Sequence, residues 1–322
     1  MKPPGVSNSE AREIKYLRLS ITDSCDMRCG YCVPHRTSIA HVADPLSSEE
    51  IALLVNAFAK NGVTKVRFTG GEPLQRPDVT GIISSIVGIP GIETVGLTTN
   101  GRYLKKLAAN LAGAGMRRVN ISLDSLDRKT FRLITGCDAL NDVLDAIDAA
   151  LGVFEKVKIN TVVMRGINDR EIPAIASLAM SLPVEVRFIE LMPLGHSASE
   201  WDMMFVSASE IRRALGNIEP LPYSGDSSAR MYSLNGGRSR VGIISPMSED
   251  FCYGCDRIRV TSSGKLRPCL RLPVEEDIRP LLRDTELPAR LGEMIGRLSH
   301  HKLPQASLES AVQAEAMCSV GG

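Results

Sequence analysis

The chain has 322 residues, of which 43% are apolar, so it is long enough for one large α/β domain plus a smaller one and is not mainly disordered. Its 38 basic and 37 acidic side chains leave a net charge of +1. The overall charge therefore gives no reason to expect binding to nucleic acid or to a membrane surface. No apolar run approaches the roughly 18 residues of a membrane span, and residues 1–15 lack the apolar core of a signal peptide. We therefore expect a cytoplasmic protein, in which eight cysteines are more naturally metal ligands than disulfides.

Short β-branched runs recur about every thirty residues between Lys15 and Glu190, with helical patterns between them. This alternation predicts successive βα units around a parallel sheet. The predicted strands lie near residues 15–22, 64–69, 93–99, 117–123, 157–163 and 184–190. Six strands are too few to close an ordinary eight-stranded barrel, so we expect an open, partial barrel over residues 1–190. Residues 191–322 are the candidate for a second domain that covers the missing side.

Three cysteines follow the first predicted strand with the spacing C-x3-C-x2-C: Cys25, Cys29 and Cys32. Three thiolates can hold three irons of a [4Fe–4S] cluster and leave the fourth iron open to a small molecule. A zinc knuckle is the alternative, with His35 as a fourth ligand. Tyr31 stands where it can cover a cluster, and the motif Gly-Gly-Glu-Pro at 70–73 follows the second strand.

Each predicted strand has one apolar and one polar face, because alternate residues point to opposite sides. If helices cover the apolar faces, the polar faces line the inside of the barrel, which is normally packed with aliphatic residues. Five cations and one acid are then predicted to point inward: Arg18, Lys65, Arg67, Lys158, Arg187 and Glu185. Such a cluster favours a highly anionic ligand such as a triphosphate. The alternative is a half-solvated antiparallel sheet whose wet face carries these charges.

A second cysteine set occurs late in the chain, where Cys252, Cys255 and Cys269 are spaced C-x2-C-x13-C. Taken alone, this spacing fits a zinc site as well as an iron–sulfur site. Its similarity to the first set, again with three thiolates, favours a second cluster with an open iron. Arg257 and Arg259 lie beside these cysteines and share one face of an extended segment, so they are candidates to bind a ligand held there.

The cysteine loop followed by Gly-Gly-Glu-Pro resembles the signature of the radical S-adenosylmethionine (SAM) superfamily. From about Lys15 to Gly322 the chain resembles the molybdenum cofactor biosynthesis protein A family, the GTP 3',8-cyclases. The segments that carry the resemblance include LRLSITDSCDMRCGYC, KVRFTGGEPLQRPD, VNISLDSLD, FCYGCDRIRVTSSGKLRPCL and the terminal Gly321-Gly322. The resemblance implies a partial (β/α)6 barrel of the TIM type, closed by a smaller C-terminal α+β domain, with one [4Fe–4S] cluster in each part.

Matched by position, the resemblance implies that SAM binds the open iron beside the first cysteine set. Its implied contacts are Tyr31, Gly71, Glu72, Ser122 and Met192. The implied contacts of GTP are Arg18, Lys65, Arg67, Thr98, Lys158, Arg187 and the segment Arg257, Ile258 and Arg259. Arg257, Arg259 and the Gly321-Gly322 tail are implied to take part in catalysis.

The implied reaction is reductive cleavage of SAM, removal of the C3' hydrogen of GTP and bond formation to guanine C8, which opens molybdenum cofactor biosynthesis. An electron donor and a downstream cyclic pyranopterin monophosphate synthase are the implied partners, and we expect a monomer or a homodimer. The chain departs from the family pattern at Asp26, where Asn is usual, and at His35, where an acid is common.

Two other functions remain open at this point. One is a radical SAM enzyme that modifies a peptide and carries an auxiliary cluster, although the predicted interior is mostly cationic. The other is a non-catalytic iron–sulfur or zinc module that binds nucleic acid, which a near-neutral charge balance does not favour.

Overall fold

The computed structural model describes residues 13–32, 44–194, 200–222, 228–249, 254–300 and 302. His35, Cys252, Gly321 and Gly322, which the sequence analysis singled out, lie outside these ranges.

Six parallel strands form the centre of the fold, and each lies within two residues of its predicted bounds at both ends. The strands are β1 (Tyr16–Ser20), β2 (Lys65–Thr69), β3 (Thr94–Thr99), β4 (Arg118–Ser122), β5 (Lys156–Val163) and β6 (Val184–Glu190). Each pairs in parallel with the next one in the chain. The parallel prediction is thus confirmed, and the antiparallel alternative is wrong for these strands.

Helices connect the parallel strands: α1 (Ser48–Lys60), α2 (Val79–Val87), α3 (Leu104–Gly113), α4 (Arg128–Thr135), α5 (Leu140–Leu151) and α6 (Ile172–Ser181). The first illustrates why the sequence folds in this way. Ser47 caps α1 and forms a capping box with Glu50, which satisfies amides at the helix start. Ile51, Leu54 and Phe58 then recur at helical spacing and are buried. The apolar face of the helix therefore packs against the apolar face of the sheet.

The later part of the chain adds α7 (Trp201–Met204), α8 (Ala208–Leu215), β7 (Ile218–Pro220), β8 (Arg230–Leu234), β9 (Arg240–Ile244), β10 (Arg257–Val260), β11 (Lys265–Arg267), β12 (Glu276–Asp277) and α9 (Leu287–Ser299). In the described residues the sheet order is β12-β11-β10-β1-β2-β3-β4-β5-β6-β9-β8-β7. The later strands thus extend both edges of the parallel sheet, β10 beside β1 and β9 beside β6.

The fold is therefore an α/β partial barrel of the TIM type, and hydrogen bonds do not join its two outer edges within the described part of the chain. A division of the chain into domains at residue 190 stays a prediction, because strands from both sides of that boundary share one sheet. No helix in the described ranges has the length and apolar character needed to cross a membrane.

Candidate active site

A cavity of about 810 Å³ occupies the interior of the partial barrel. The first cysteine set lies at one end of it, and Cys255 and Cys269 lie at the other. The loop with Cys25 follows the carboxyl end of β1, whereas Cys255 precedes the amino end of β10, which runs parallel to β1. All three cysteines of the first set, and Cys255 and Cys269 of the second, line the same cavity. A ligand that fills the cavity can therefore contact both ends.

The first cysteine loop is held by main-chain hydrogen bonds from the loop that follows β2. The Gly71 amide donates to the Thr22 carbonyl over 2.8 Å, and the Glu72 amide donates to the Ser24 carbonyl over 2.7 Å. A Cβ on Gly71 would lie 2.1 Å from the Ser24 carbonyl oxygen, so any other side chain would push the two loops apart. The Gly-Gly-Glu-Pro motif thus fixes the position of the cysteine loop.

The donor set at this end is three partly buried cysteines, Cys25, Cys29 and Cys32. In the described ranges no three Cys, His, Asp or Glu side chains converge as a single metal ion would require. The thiolates of a [4Fe–4S] cluster bind different irons, so three cysteines in one loop fit such a cluster. Burial, followed by the negative charge of Asp124, raises the pKa of the Cys29 thiol. A bound iron site would offset this unfavourable electrostatic environment by stabilising the thiolate.

Four of the five residues predicted to surround SAM lie in the cavity wall. Tyr31, Gly71, Ser122 and Met192 all line the cavity. The Tyr31 hydroxyl donates to Asp124 Oδ2 over 2.8 Å, which fixes the ring next to the cysteine loop. Their contacts with SAM stay predictions.

Glu72 does not line the cavity. The residue is 1% exposed, and its carboxylate accepts hydrogen bonds from the Leu74 amide, the Thr99 hydroxyl and the Asn100 amide. Burial raises its pKa to about 7 despite these bonds. The Glu72 side chain thus clamps the loops after β2 and β3. A contact between Glu72 and the cofactor stays a prediction, and it would have to come from the main chain.

The inward placement predicted for the strand cations is confirmed. Arg18, Lys65, Arg67, Lys158 and Arg187 all line the cavity, and Arg257 and Arg259 join them from β10. In the described residues the wall contains twelve basic side chains and three acidic ones. Two of the acids, Asp124 and Glu190, accept hydrogen bonds from main-chain amides of the protein.

Burial of these cations together is electrostatically unfavourable. Burial, and then the neighbouring Arg259, lower the pKa of the Arg18 guanidinium well below its usual value. Burial likewise lowers the pKa of Arg259 to about 10. An anion in the cavity would reverse both effects.

Glu185 partly neutralises the other side of the cavity. Its Oε1 atom lies 3.0 Å from Lys158 Nζ and 2.5 Å from Arg187 Nε. Burial opposes ionisation of this carboxyl, but Arg187 and Lys158 outweigh it and lower its pKa to about 2. Burial, and then Arg187, lower the pKa of Lys158 to about 7. One carboxylate thus compensates two cations.

Two neutral side chains also present oxygen atoms to the cavity. Thr98 Oγ1 and Asn160 Oδ1 are buried, and neither has a hydrogen-bond partner among the described residues. Buried polar atoms of this kind favour a polar ligand. Ile258, predicted as a GTP contact, has a side chain that is fully buried in the hydrophobic core. A GTP contact from Ile258 therefore stays a prediction, and it would have to come from the main chain.

At the other end of the cavity, Cys255 and Cys269 are partly buried and line the wall. Burial alone would raise the pKa of Cys255, but Lys302 and Arg257 outweigh it and lower the pKa. The Lys302 ammonium also donates to the carbonyl oxygens of Cys255 and Arg257. This end of the cavity therefore favours a thiolate. The third cysteine, Cys252, lies outside the described ranges.

Among the cavity residues that sequence reasoning missed are Tyr16, Asp124 and Lys302. Tyr16 could have been found, because it is two residues before Arg18 and shares its face of β1. Asp124 likewise is two residues after Ser122. Nothing in the sequence pattern indicated that Lys302 returns to the second cysteine set.

Comparison with known proteins agrees with this geometry. A family model described as the radical SAM superfamily matches residues 19–179, and one described as Molybdenum Cofactor Synthesis C matches residues 184–308. A solved structure of Streptococcus suis SuiB bound to S-adenosylmethionine has a TM-score of 0.60, with 17% identity, and the match covers 88% of this chain and 68% of that one. At this identity the structural similarity concerns the fold alone. The class is thus that of the radical SAM proteins.

Two relatives narrow the class. The GTP 3',8-cyclase of Alkaliphilus metalliredigens is 41% identical over 316 residues, which cover 97% of this chain and 98% of that protein. The GTP 3',8-cyclase of Thermodesulfovibrio yellowstonii is 40% identical over 318 residues, with 97% and 98% covered. The chain belongs to the GTP 3',8-cyclase family.

Proposed function

We propose that the protein converts GTP to (8S)-3',8-cyclo-7,8-dihydroguanosine 5'-triphosphate, the first step of molybdenum cofactor biosynthesis. The observation that carries the proposal is a cation-lined cavity that joins two cysteine sites. A triphosphate supplies the negative charge that this wall lacks. The names of the relatives, which match over nearly the whole chain, support guanosine as the nucleoside.

The proposed cofactors are SAM and two [4Fe–4S] clusters. Cys25, Cys29 and Cys32 would hold the first cluster beside SAM, and the set of Cys252, Cys255 and Cys269 would hold the second. When bound, the first cluster and SAM would supply reductive cleavage of SAM and abstraction of the C3' hydrogen of GTP. Bonding of C3' to guanine C8 would then leave one unpaired electron, so the 7,8-dihydro product requires one further electron, from an external electron donor, and a proton.

The residues of the chain supply placement. In this proposal, Arg18, Lys65, Arg67, Lys158 and Arg187 bind the phosphates, and they keep the ribose at a fixed depth between the two ends of the cavity. Arg257 and Arg259 hold the nucleotide at the second cysteine set. The uncharged Thr98 hydroxyl forms a hydrogen bond with the same nucleotide. The buried wall keeps water away from the reacting carbon atoms.

The test uses anaerobically reconstituted protein with SAM, a strong reductant and each of the four nucleoside triphosphates. Mass spectrometry should detect 5'-deoxyadenosine and a rearranged nucleotide with GTP alone. If 5'-deoxyadenosine forms but no nucleotide changes, the substrate is wrong and a peptide-modifying activity becomes the better hypothesis. If no 5'-deoxyadenosine forms, the radical SAM activity is refuted.

Cysteine variants separate the roles of the two sites. Cys29→Ala should abolish SAM cleavage, whereas Cys255→Ala should retain much of the cleavage and lose the cyclised product. Cys137→Ala is the matched control, because Cys137 is a partly buried cysteine packed against the hydrophobic core and does not line the cavity. Normal SAM cleavage by Cys29→Ala, or normal product from Cys255→Ala, would contradict the corresponding assignment.

The proposal includes expectations that rest on the family resemblance alone. They are a lyase activity in the cytoplasm, an external electron donor, a downstream cyclic pyranopterin monophosphate synthase, and a monomer or homodimer. The role of Gly321 and Gly322 in catalysis belongs with them. Truncation of these two glycines tests that role, because product should be lost while GTP binding is retained.

A further inference from the structure

Tyr16 lies among the arginines of the cavity. In the sheet it is level with Lys65 of β2 on one side and with Arg257 of β10 on the other. The Tyr16 hydroxyl accepts a hydrogen bond from Arg67 Nε over 2.5 Å. The guanidinium carbon of Arg257 lies 6.0 Å from the centre of its ring. The side chain is partly buried and lines the cavity.

The Tyr16 hydroxyl accepts a hydrogen bond from the protein but donates none among the described residues. A phenol has one O–H donor besides its acceptor lone pairs, and Arg67 occupies the acceptor side. Among the described residues, nothing accepts a hydrogen bond from the Tyr16 hydroxyl. The charged side chains that act on it most strongly are Arg18, Arg67 and Arg257, which are donors and accept nothing. The proton of Tyr16 therefore has an acceptor only if the cavity contains one.

We propose that Tyr16 is a substrate-contacting residue whose hydroxyl donates a hydrogen bond to a phosphate oxygen of the bound nucleotide while it holds Arg67. This inference rests on the proposed function for the identity of the nucleotide. A phosphate oxygen is the acceptor that fits best, because the same group can also be bound by the neighbouring guanidinium groups.

The electrostatics of the site support this role. Burial alone would raise the pKa of Tyr16, but Arg67 and Arg18 outweigh it and lower the pKa to about 8. The hydroxyl thus keeps its proton at neutral pH yet is a stronger donor than an ordinary phenol. A donor of this kind pairs well with an anionic oxygen.

The test is Tyr16→Phe, with Tyr103→Phe as the control because Tyr103 lies at the start of α3 and does not line the cavity. Isothermal titration without reductant measures the dissociation constants of GTP, guanosine and inorganic triphosphate for the reconstituted protein. Tyr16→Phe should weaken GTP and inorganic triphosphate by about 10- to 100-fold, as expected for one hydrogen bond to a charged group, and leave guanosine unchanged. Unchanged GTP binding would overturn the proposal, and so would an equal loss for guanosine.

Loss of the Arg67 anchor is a second way in which Tyr16→Phe could act. The same substitution in an Arg67→Met background separates the two. A direct contact predicts that Tyr16→Phe still weakens inorganic triphosphate at least several-fold in that background, whereas no further loss would overturn direct donation. Failure of the proposed function gives a different pattern, in which the parent protein binds inorganic triphosphate without preferring GTP to ATP.

Discussion

Glu185→Gln tests whether the cavity is electrostatically strained when it holds no anion. The carboxylate contacts Lys158 and Arg187, and the three side chains are only 12–14% exposed. Removing one partner of a buried ion pair costs about 3–5 kcal/mol, because the other charge stays buried without compensation. Lys158 reduces this cost by releasing its proton, since its pKa is about 7. We therefore expect a loss near the lower limit, about 3 kcal/mol in the free energy of unfolding.

Urea unfolding at pH 7 measures this loss with and without inorganic triphosphate. Glu155→Gln is the matched control, because Glu155 forms an exposed ion pair with Arg117 at 3.7 Å and should lose at most about 1 kcal/mol. Triphosphate should stabilise Glu185→Gln more than it stabilises the parent protein, since the anion takes over the compensation that Glu185 provided. Equal losses for the two variants would refute the reasoning, as would equal stabilisation of parent and Glu185→Gln by triphosphate.

Three further predictions concern the same cavity and its loops. Gly96→Ala would place a Cβ 3.3 Å from Arg67 Nη2 and should weaken GTP binding several-fold in a titration, whereas Gly88→Ala, whose Cβ meets nothing within 4 Å, should not. Burial lowers the pKa of Lys158 to about 7, so triphosphate affinity should fall as pH rises from 6 to 8, and this fall should be much smaller in Lys158→Met. Asp26→Asn removes a partly exposed ion pair, in which Asp26 Oδ2 lies 2.9 Å from Arg102 Nη1 in the loop after β3. In urea unfolding it should lower the free energy of unfolding by about 1 kcal/mol. An unchanged free energy of unfolding would show that this ion pair does not stabilise the fold.

Much of the barrel could be predicted because its signals are local. The alternation of Arg18 with apolar neighbours sets which face of β1 points inward, and parallel pairing then brings the polar faces together. The cap at Ser47 and the helical spacing after it mark α1 in the same way. The cationic cavity could be predicted from two patterns alone, the alternation of residues along the strands and the helical spacing of apolar residues between them.

The later strands could not be placed in this way. Pairing of β10 with β1 joins residues that are about 240 positions apart, and no local pattern states which edge of the sheet a late strand will occupy. The register matters for the site, because it sets Arg257 level with Tyr16. Assignments made from motifs alone also say less about where a side chain points than those made from alternation. Ile258 lies between two inward arginines and therefore points outward, and Glu72 lies beyond the end of β2, where alternation no longer applies.

Charge in this cavity cannot by itself select GTP, because any polyphosphate would satisfy the same cations. Discrimination between nucleosides requires neutral groups that would be left without partners by the wrong base or sugar, which is the costlier mismatch in a buried site. Thr98 Oγ1 and Asn160 Oδ1 are buried in the cavity wall and have no partner among the described residues. We therefore expect the cations to bind the polyphosphate, and we expect these two oxygens to help select the nucleoside that carries it.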